Sequence, residues 1–386
     1  MELTTLWFAL IAVLFIGYFI LEGFDFGVGI VLFVIGKNEP ERRAMIRTIG
    51  PVWDGNEVWV LVAGGAMFAA FPEWYATLFS GFYLALFLIL VGLIVRGVGI
   101  EYRNKRGDLA WRRRMDAMIS VGSFLPALLW GVAFANIVQG VPIDANKEFT
   151  GNLMTLLNPF GLLGGVTTLL LFITHGLLFL TLKTEGEIRE RARKLTLPVG
   201  LVTAVVAVVF LLWANAIRGD MLSTVVAVLA AVAWLVALGA AKVKREGVAF
   251  FSSALTIGLA VVSLFLALFP DVMPSSTDPA YSLTTTNAAS TEYTLTIMTI
   301  VAVIFVPVVL VYQVWTYYVF RKRVTVPRAS VSSNWPRLTC CGRSPAGPVV
   351  ISTATPTRSS TPITASWRST PRARASAPST CDVRPT

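Results

Sequence analysis

The feature that most limits the fold of this chain is a series of apolar segments, each about 20 residues long, that recurs from near Met1 to about residue 320. A segment of this length, coiled as an α-helix, spans a hydrocarbon core roughly 30 Å thick. The mean hydropathy of +0.70 supports an integral membrane protein. Because apolar and polar residues do not alternate strictly, the sequence predicts an all-α polytopic fold and not a β-barrel.

We predict nine transmembrane helices, with the N-terminus outside and the C-terminus in the cytoplasm. Lys and Arg cluster in every second connection and after the ninth helix: 21 lie on one side, whereas the other side has only Lys147 and Arg218. The positive-inside rule places the Lys/Arg-rich side in the cytoplasm, and the positive charge therefore reports topology and does not indicate nucleic-acid binding. The predicted spans are 7–36, 50–72, 77–100, 117–139, 160–182, 197–217, 221–241, 249–269 and 295–320.

The character of the sequence changes after residue 323. We predict a transmembrane helical domain over residues 1–323 and a Ser/Thr/Pro/Arg-rich tail over 324–386. The tail has eight Arg, no Lys and a single acidic residue, Asp382. Its low apolar content predicts disorder, and its arginine bias is also typical of a frameshift product. The mass of a C-terminal peptide distinguishes these two interpretations.

Four carboxylates lie within otherwise apolar helical sequence, Glu22 and Asp25 in the first predicted helix and Asp54 and Glu57 in the second. Each pair is spaced i, i+3, which places its two side chains on one helix face. An aspartate near the centre of a membrane helix costs roughly 3 kcal/mol, so such residues persist where they face a protein interior or water. We therefore predict a buried polar site in the cytoplasmic half of the bundle.

Acidic side chains that lead from the cytoplasmic face into the bundle can relay protons. The alternative is that they pair with arginine, backbone or tryptophan N–H groups and only hold the helices together. This structural role is at least as strongly favoured for Glu101 and Asp116, which lie at helix ends beside arginines. The candidates for the proton route are Asp25, Asp54, Arg96, Glu101, Asp116, Glu57 and Glu22, with Trp53 and Asn56 as orienting residues.

The sequence offers few residues for cofactor chemistry. All three cysteines lie in the predicted tail, and His175 is the single histidine. The membrane part therefore has no thiolate metal site, and the chain alone cannot hold several bis-histidine haems. We expect His175 to make a polar contact between helices, and we predict neither a catalytic residue nor a metal site in this chain.

Several segments resemble subunit II of the cytochrome bd quinol oxidases. The pair PVWDGNEVW and GFDFGVG is highly specific, and the resemblance extends over residues 1–323. The segments that carry it are LEGFDFGVG (21–29), the stretch from GKNEPERR to LFSGFY (36–83), RGVGIEYR (96–103), MDAMISVGSFLPALLWGVAFANIVQGVP (115–142), NPFGLLGGV (158–166) and FPDVMPSST (269–277).

The resemblance implies one half of a heterodimer in the bacterial cytoplasmic membrane that oxidises quinol and reduces oxygen to water. The haems and the substrate quinol site would belong to subunit I, so this chain would be a haem-free partner that is not catalytic alone. Subunit II would supply a cytoplasmic proton route, in which Asp25 matches the GFD motif and Asp54 the WDGN motif. Arg96, Glu101 and Asp116 match the polar positions after them. Membrane lipids are expected partners, and a structural quinone and a small accessory subunit are left open.

Two other functions are compatible with the sequence. A proton-coupled secondary transporter would also use inner carboxylates, although no inverted repeat is evident. A pure assembly subunit would use them only to bridge helices. Copurification of a haem-bearing partner separates the transporter from the other two, and slower oxygen reduction by an assembled Asp54→Asn variant separates a proton route from a scaffold.

Overall fold

Each apolar segment of the sequence is helical in the computed structural model, which describes residues 2–325 of the 386. Within these residues the chain forms α-helices, one short 3₁₀ helix (Pro279–Tyr281) and one short sheet. The elements are α1 (Leu3–Ile30), α2 (Leu32–Ile35), α3 (Glu39–Ile49), α4 (Trp53–Ala70), α5 (Pro72–Gly81), α6 (Tyr83–Tyr102), α7 (Leu109–Gln139), α8 (Leu153–Leu156), α9 (Pro159–Lys183), α10 (Gly186–Arg218), α11 (Met221–Lys242), α12 (Glu246–Leu268), β1 (Asp271–Met273), β2 (Leu283–Thr284) and α13 (Glu292–Val319).

Eight helices of the described chain are long and apolar enough to cross a membrane: α1, α6, α7, α9, α10, α11, α12 and α13. The predicted all-α polytopic membrane fold is thus confirmed. The predicted second span corresponds to α4, which is less apolar because its first two turns carry Asp54, Asn56 and Glu57. The count of nine spans and the orientation remain predictions.

Helix α1 packs against α4, α7, α9 and α12 and lies at the centre of the bundle. Its closest neighbour is α9, because a methyl group added to Gly27 would overlap with the backbone of Phe172 and Gly176. Gly23, one turn earlier, faces the ring of Phe172 in the same way. The small residues therefore bring the two backbones together, as in other membrane helix pairs. This contact fixes the position of the Glu22 and Asp25 face of α1.

One end of the bundle, here called the basic end, consists of α3, the first turns of α7, α10 and α12, and residues 321–325. Between the first and second predicted spans, for which the sequence gives no further helix, the structure has the surface helix α3. Its start is capped by Asn38, whose side chain accepts a hydrogen bond from the backbone N–H of Glu41 at 2.9 Å. Such a cap satisfies one of the free N–H groups of the first turn.

The opposite end contains the segment 270–294, which lies between the eighth and ninth predicted spans. In the structure β1 and β2 pair antiparallel within this segment, and Val141 bridges to Ser275 beside them. Arg218 donates to Asp271 at 3.0 Å and ties the end of α10 to β1. The loop is therefore a folded cover of this end of the bundle.

Helix α13 is far less buried than the other long helices, because Leu295 is its single buried residue. Hydrogen bonds attach it to the bundle. Near its start, the indole N–H of Trp7 donates to Thr299 Oγ1 at 3.0 Å. After its end, Lys183 Nζ donates to the Phe320 carbonyl at 2.6 Å. The predicted tail over 324–386 lies outside the described residues, apart from Val324 and Thr325.

Candidate functional site

Two acidic residues of α1 lie at the centre of the candidate site. Glu22 and Asp25 are both fully buried, at 0% exposure. Their i, i+3 spacing puts them on the face that α4 and α6 approach. The predicted burial of these two carboxyl groups is therefore confirmed.

Arg96 of α6 joins the acids of α1 to those of α4. Its guanidinium forms an ion pair with Glu22 and donates through Nη2 to Glu57 Oε2 at 3.0 Å. The guanidinium carbon lies 4.8 Å from the centre of the Phe26 ring and 5.7 Å from that of Trp53. Arginine retains its charge when buried and is stabilised over aromatic faces. Arg96 is therefore a fixed positive charge that bridges two helices.

Asn56 of α4 makes the second bridge in the site. Its Nδ2 donates to Asp25 Oδ2 at 2.7 Å and to the carbonyl oxygen of Leu21 at 3.3 Å. Its Oδ1 accepts hydrogen bonds from Gln313 Nε2 at 3.1 Å and from the Tyr317 hydroxyl at 2.8 Å. Asn56 therefore links α1 to α13 and contacts Asp25, and its orienting role remains a prediction.

Three carboxyl groups and one guanidinium form what we call the acidic cluster: Glu22, Asp25, Glu57 and Arg96. Within the described residues Arg96 pairs with Glu22 and Glu57, whereas Asp25 makes no ion pair. When all three acids are ionised, the cluster carries an excess of two negative charges, and excess charge is costly inside a membrane protein. Within the described residues, Glu22 Oε2 and Asp25 Oδ1 are buried and have no hydrogen-bond partner. The arrangement therefore leaves carboxylate oxygens that can bind protons.

Exposure rises from this cluster toward the first turn of α4. The side chain of Glu57 is 22% exposed, and Asp54, three residues earlier, is exposed. The sequence predicts burial for Asp54, and this expectation is wrong for the chain as described. The reason is that Asp54 lies on the opposite face of the first turn from Asn56, which points inward. Asp54 and Glu57 thus lie between the surface and the buried acids.

The structure places the remaining predicted residues apart from the acidic cluster. Glu101 is exposed at the end of α6, so it does not join the site. Asp116 of α7 is fully buried at the basic end, where it accepts hydrogen bonds from Arg42 at 2.8 Å and from Arg103 at 2.5 Å. Arg103 also donates to Glu39 at 3.3 Å. Asp116 is therefore already neutralised by two arginines.

Two further carboxylates at the basic end are held in the same manner. Glu246 accepts hydrogen bonds from Arg189, Arg193 and Arg323, with distances between 2.5 and 3.1 Å. Glu41 accepts from Arg191 at 2.6 and 3.1 Å. The hydrogen bonds from Arg191, with one from a backbone N–H, hold the pKa of Glu41 below its usual range. These ion pairs join α3, α10, α12 and the end of α13.

His175 of α9 makes the interhelical polar contact that the sequence predicts. Its Nδ1 lies 2.7 Å from Ser253 Oγ of α12, and its Nε2 lies 3.1 Å from the Ile20 carbonyl of α1. The ring also stacks on Phe250, with 4.7 Å between the ring centres. Both ring nitrogens thus have hydrogen-bond partners, so neither is available to coordinate a haem iron in this arrangement.

Sequence reasoning missed Gln313 and Tyr317, the α13 partners of Asn56. A signal was present, because both are polar side chains in an apolar helix and their i, i+4 spacing puts them on one face. Tyr18 was also missed. It is fully buried one turn before Glu22, and its hydroxyl accepts a hydrogen bond from the Trp130 indole at 3.2 Å.

An apolar cavity of about 170 Å³ lies on the other side of α1, among α7, α9, α10, α11 and α12. Aromatic rings of Phe19, Trp130, Phe172 and Trp234 contribute to its wall. The indole N–H of Trp234 donates to the carbonyl of Gly200 at 3.1 Å, which leaves an apolar surface facing the cavity. A cavity of this size and lining suits an apolar guest.

Comparisons with known proteins agree with one another. A family model described as "Cytochrome bd terminal oxidase subunit II" matches residues 3–320. "Cytochrome bd ubiquinol oxidase subunit 2" of Bacillus subtilis is 43% identical over 330 residues, which cover 84% of this chain and 97% of the relative. "Cytochrome bd-I ubiquinol oxidase subunit 2" of Escherichia coli K12 is 40% identical over 358 residues, which cover 83% and 94%.

A solved structure shares the fold. A chain of the bd oxidase from Geobacillus thermodenitrificans superposes with a TM-score of 0.69 and covers 83% of this chain and 97% of its own length, at 15% identity. Nothing among these matches favours a transporter.

Proposed function

Because this chain belongs to the cytochrome bd terminal oxidase subunit II family, we propose that its acidic cluster carries protons for the reduction of oxygen by the oxidase complex. The chain is an integral membrane subunit of a cytochrome bd oxidase, a respiratory quinol oxidase. Its partner is the haem-bearing subunit I, and the two form a heterodimer that takes quinol and oxygen as substrates. This chain binds no haem and is not catalytic alone.

The single observation that carries the proton route is the shortage of positive charge in the acidic cluster. The cluster has three carboxyl groups and one guanidinium, which pairs with Glu22 and Glu57. Two buried carboxylate oxygens, Glu22 Oε2 and Asp25 Oδ1, have no hydrogen-bond partner in the described part of the chain. A carboxyl group in such a position can accept and release a proton without breaking an existing hydrogen bond. Arg96 holds the acids together through both charge states.

We place the entrance of the route at α4. Asp54 is exposed and Glu57 partly exposed, so protons pass from the surface through these two residues to Glu22 and Asp25. The bundle has nine spans, with α4 as the second, and its basic end faces the cytoplasm by the positive-inside rule. Protons are then drawn from the cytoplasm while subunit I takes electrons from quinol. Glu101 and Asp116 do not belong to the route in this proposal.

The test is the turnover of assembled oxidase complexes that carry Asp25→Asn or Glu22→Gln. Each variant keeps shape and hydrogen bonding but cannot carry a proton, so oxygen consumption per haem is expected to fall on the order of 100-fold. Glu73→Gln is the matched control, because Glu73 is exposed at the opposite end of the bundle, and its turnover is expected to remain normal. Full turnover by a correctly assembled Asp25→Asn complex would contradict the route.

The entrance has its own test. Asp54→Asn in a complex with normal haem content is expected to slow oxygen reduction less than Asp25→Asn, because neighbouring water can replace an exposed group. The alternative is a pure scaffold, in which all of these variants assemble and turn over normally.

Other parts of the proposal concern ligands and partners. Membrane lipids surround the exposed helix faces, and copurification from the membrane tests whether a small accessory subunit belongs to the complex. We assign a structural quinone to the apolar cavity among α7, α9, α10, α11 and α12, where 170 Å³ holds a ring or a few isoprenoid carbons. Quinone extraction from the purified complex, with and without Ala231→Trp in the cavity wall, tests this assignment.

A further inference from the structure

The orientation of the Asn56 amide follows from the chemistry of its neighbours. The carbonyl oxygen of Leu21 can only accept a hydrogen bond, so the Asn56 group that lies 3.3 Å from it must be the NH₂. The carbonyl of Asn56 therefore points the other way, toward Gln313 and Tyr317, which both donate to it. No other orientation satisfies Leu21 together with these two donors.

This orientation decides which oxygen of Asp25 binds a proton. Asn56 Nδ2 donates to Oδ2 at 2.7 Å, so that oxygen is already occupied. Oδ1 is buried and has no hydrogen-bond partner in the part of the chain that the structure describes. A proton on Asp25 therefore resides on Oδ1, while Oδ2 remains the hydrogen-bonded carbonyl oxygen.

The two donors come from α13, a helix with a single buried residue. Gln313 and Tyr317 are half-buried, whereas most other residues in the second half of α13 are exposed. Two polar side chains of α13 thus converge on one oxygen atom. Packing does not require a hydroxyl and an amide there, whereas the orientation of Asn56 does.

We propose that Gln313 and Tyr317 are positioning residues of the proton route. By donating to Asn56 Oδ1 they keep its NH₂ on Asp25 Oδ2, which leaves Oδ1 as the oxygen that exchanges protons. If the amide rotated, the Asn56 carbonyl would face the Asp25 carboxylate, and the two acceptors would repel each other. This inference rests on the proposed function of the acidic cluster.

The first test is Tyr317→Phe in the assembled oxidase complex. The variant removes one oxygen atom and keeps the ring, so the loss of one hydrogen bond is expected to slow oxygen consumption per haem about fivefold and to displace its pH profile. Tyr318→Phe is the matched control, because Tyr318 is exposed and, among the described residues, its ring contacts the guanidinium of Arg321. The control is expected to keep the wild-type turnover and pH profile.

A double-variant cycle asks whether Tyr317 acts through Asn56. Asn56→Ala removes the amide, so adding Tyr317→Phe to it is expected to change turnover no further. Gln313→Met, of similar size, serves as a second variant if Tyr317→Phe does not assemble, and it is expected to behave in the same way. Equal slowing by Tyr317→Phe with and without Asn56 would overturn the inference.

Infrared difference spectroscopy on the same complexes gives a readout that does not depend on turnover. The band of protonated Asp25, identified by its loss in Asp25→Asn, is expected at the lower frequency of a hydrogen-bonded carbonyl. Tyr317→Phe and Gln313→Met are expected to move the band to higher frequency, and Tyr318→Phe to leave it in place. An unmoved band in both positioning variants overturns the inference.

The results of these experiments distinguish the positioning role of α13 from the proposed proton route. Normal turnover by Asp25→Asn removes the proton route itself. Slow turnover by Asp25→Asn, together with normal turnover by Tyr317→Phe and Gln313→Met, leaves the route intact and removes only the positioning role of α13.

Discussion

The acidic cluster and the ion pairs at the basic end are built from the same residue types, carboxylates and arginines. Carboxylates outnumber arginines in the acidic cluster, whereas arginines outnumber carboxylates around Glu246 and Asp116. The acidic cluster has three carboxyl groups and a single guanidinium, that of Arg96, and two of its carboxylate oxygens have no hydrogen-bond partner in the described chain. At the basic end, the single carboxylate of Glu246 accepts hydrogen bonds from three arginines, and that of Asp116 accepts them from two.

In the proposed proton route, the ratio of carboxyl to guanidinium groups distinguishes a cluster that binds protons from ion pairs that hold helices together. A carboxylate surrounded by guanidinium groups gains nothing from a proton, so it serves to hold helices. A carboxylate with too little positive charge nearby can take up a proton at small cost. The four predictions below test this contrast through the stability of the assembled complex, from the largest expected effect to the smallest.

The largest effect is expected from Arg96→Met. This variant removes the only positive charge that faces Glu22 within the described cluster, and an unpaired buried charge costs about 3–5 kcal/mol. The melting temperature and haem content of the complex are expected to fall sharply. Arg103→Met is the matched control, because Asp116 keeps Arg42 at 2.8 Å, and its loss is expected to be smaller. Equal losses in the two variants would break the contrast.

The next effect is expected from Asp116→Asn at the basic end. The buried guanidinium of Arg103 loses its nearer charged acceptor and keeps Glu39 at 3.3 Å, and hydrogen bonds to charged groups contribute about 1.5–3 kcal/mol each. The melting temperature is expected to fall, while turnover per assembled complex falls less than in Asp25→Asn. If turnover fell as far as in Asp25→Asn, Asp116 would join the proton route after all.

A pH-dependent effect is expected from Glu41→Gln. Because the folded-state pKa of Glu41 is lowered, its ion pair with Arg191 stabilises the protein above the ordinary value of 4.5 and loses its contribution as the pH falls through the lower folded-state value. The wild type is expected to exceed the variant in stability by about 1 kcal/mol at neutral pH. The difference in melting temperature should narrow below pH 4.5. A constant difference throughout the acid range contradicts this prediction.

The smallest effect is expected from Glu101→Gln. Glu101 is exposed and makes no ion pair in the described chain, so stability is expected to change by less than about 0.5 kcal/mol. Thermal unfolding of the Glu101→Gln and Asp116→Asn complexes under the same conditions measures this change in stability. A large loss would show that Glu101 has a partner in the assembled complex.

Much of the fold follows from hydrophobicity and charge. The long apolar segments predict the long helices, because a membrane leaves few other ways to satisfy the backbone. Helix α3 was missed since its apolar residues are few and its pattern is that of a short surface helix. The strands in 270–294 were missed because two or three paired residues have no detectable period.

The site was predictable only in part. The spacing of Glu22 and Asp25 predicts a shared face, but helix rotation decides whether a residue such as Asp54 points inward. That rotation depends on packing with α1 and α6, which a single sequence does not report. Gln313 lies 257 residues from Asn56 along the chain, and local patterns cannot reveal such a pair.

The position of Glu246 sets an order of events during synthesis. Arg189 precedes it by 57 residues and Arg323 follows it by 77, so the first pair can form long before the last arginine leaves the ribosome. The carboxylate is thus neutralised while α13 is still being made. The earlier helices can insert into the membrane first, and α13 then packs against a bundle in which Glu246 already has an arginine partner.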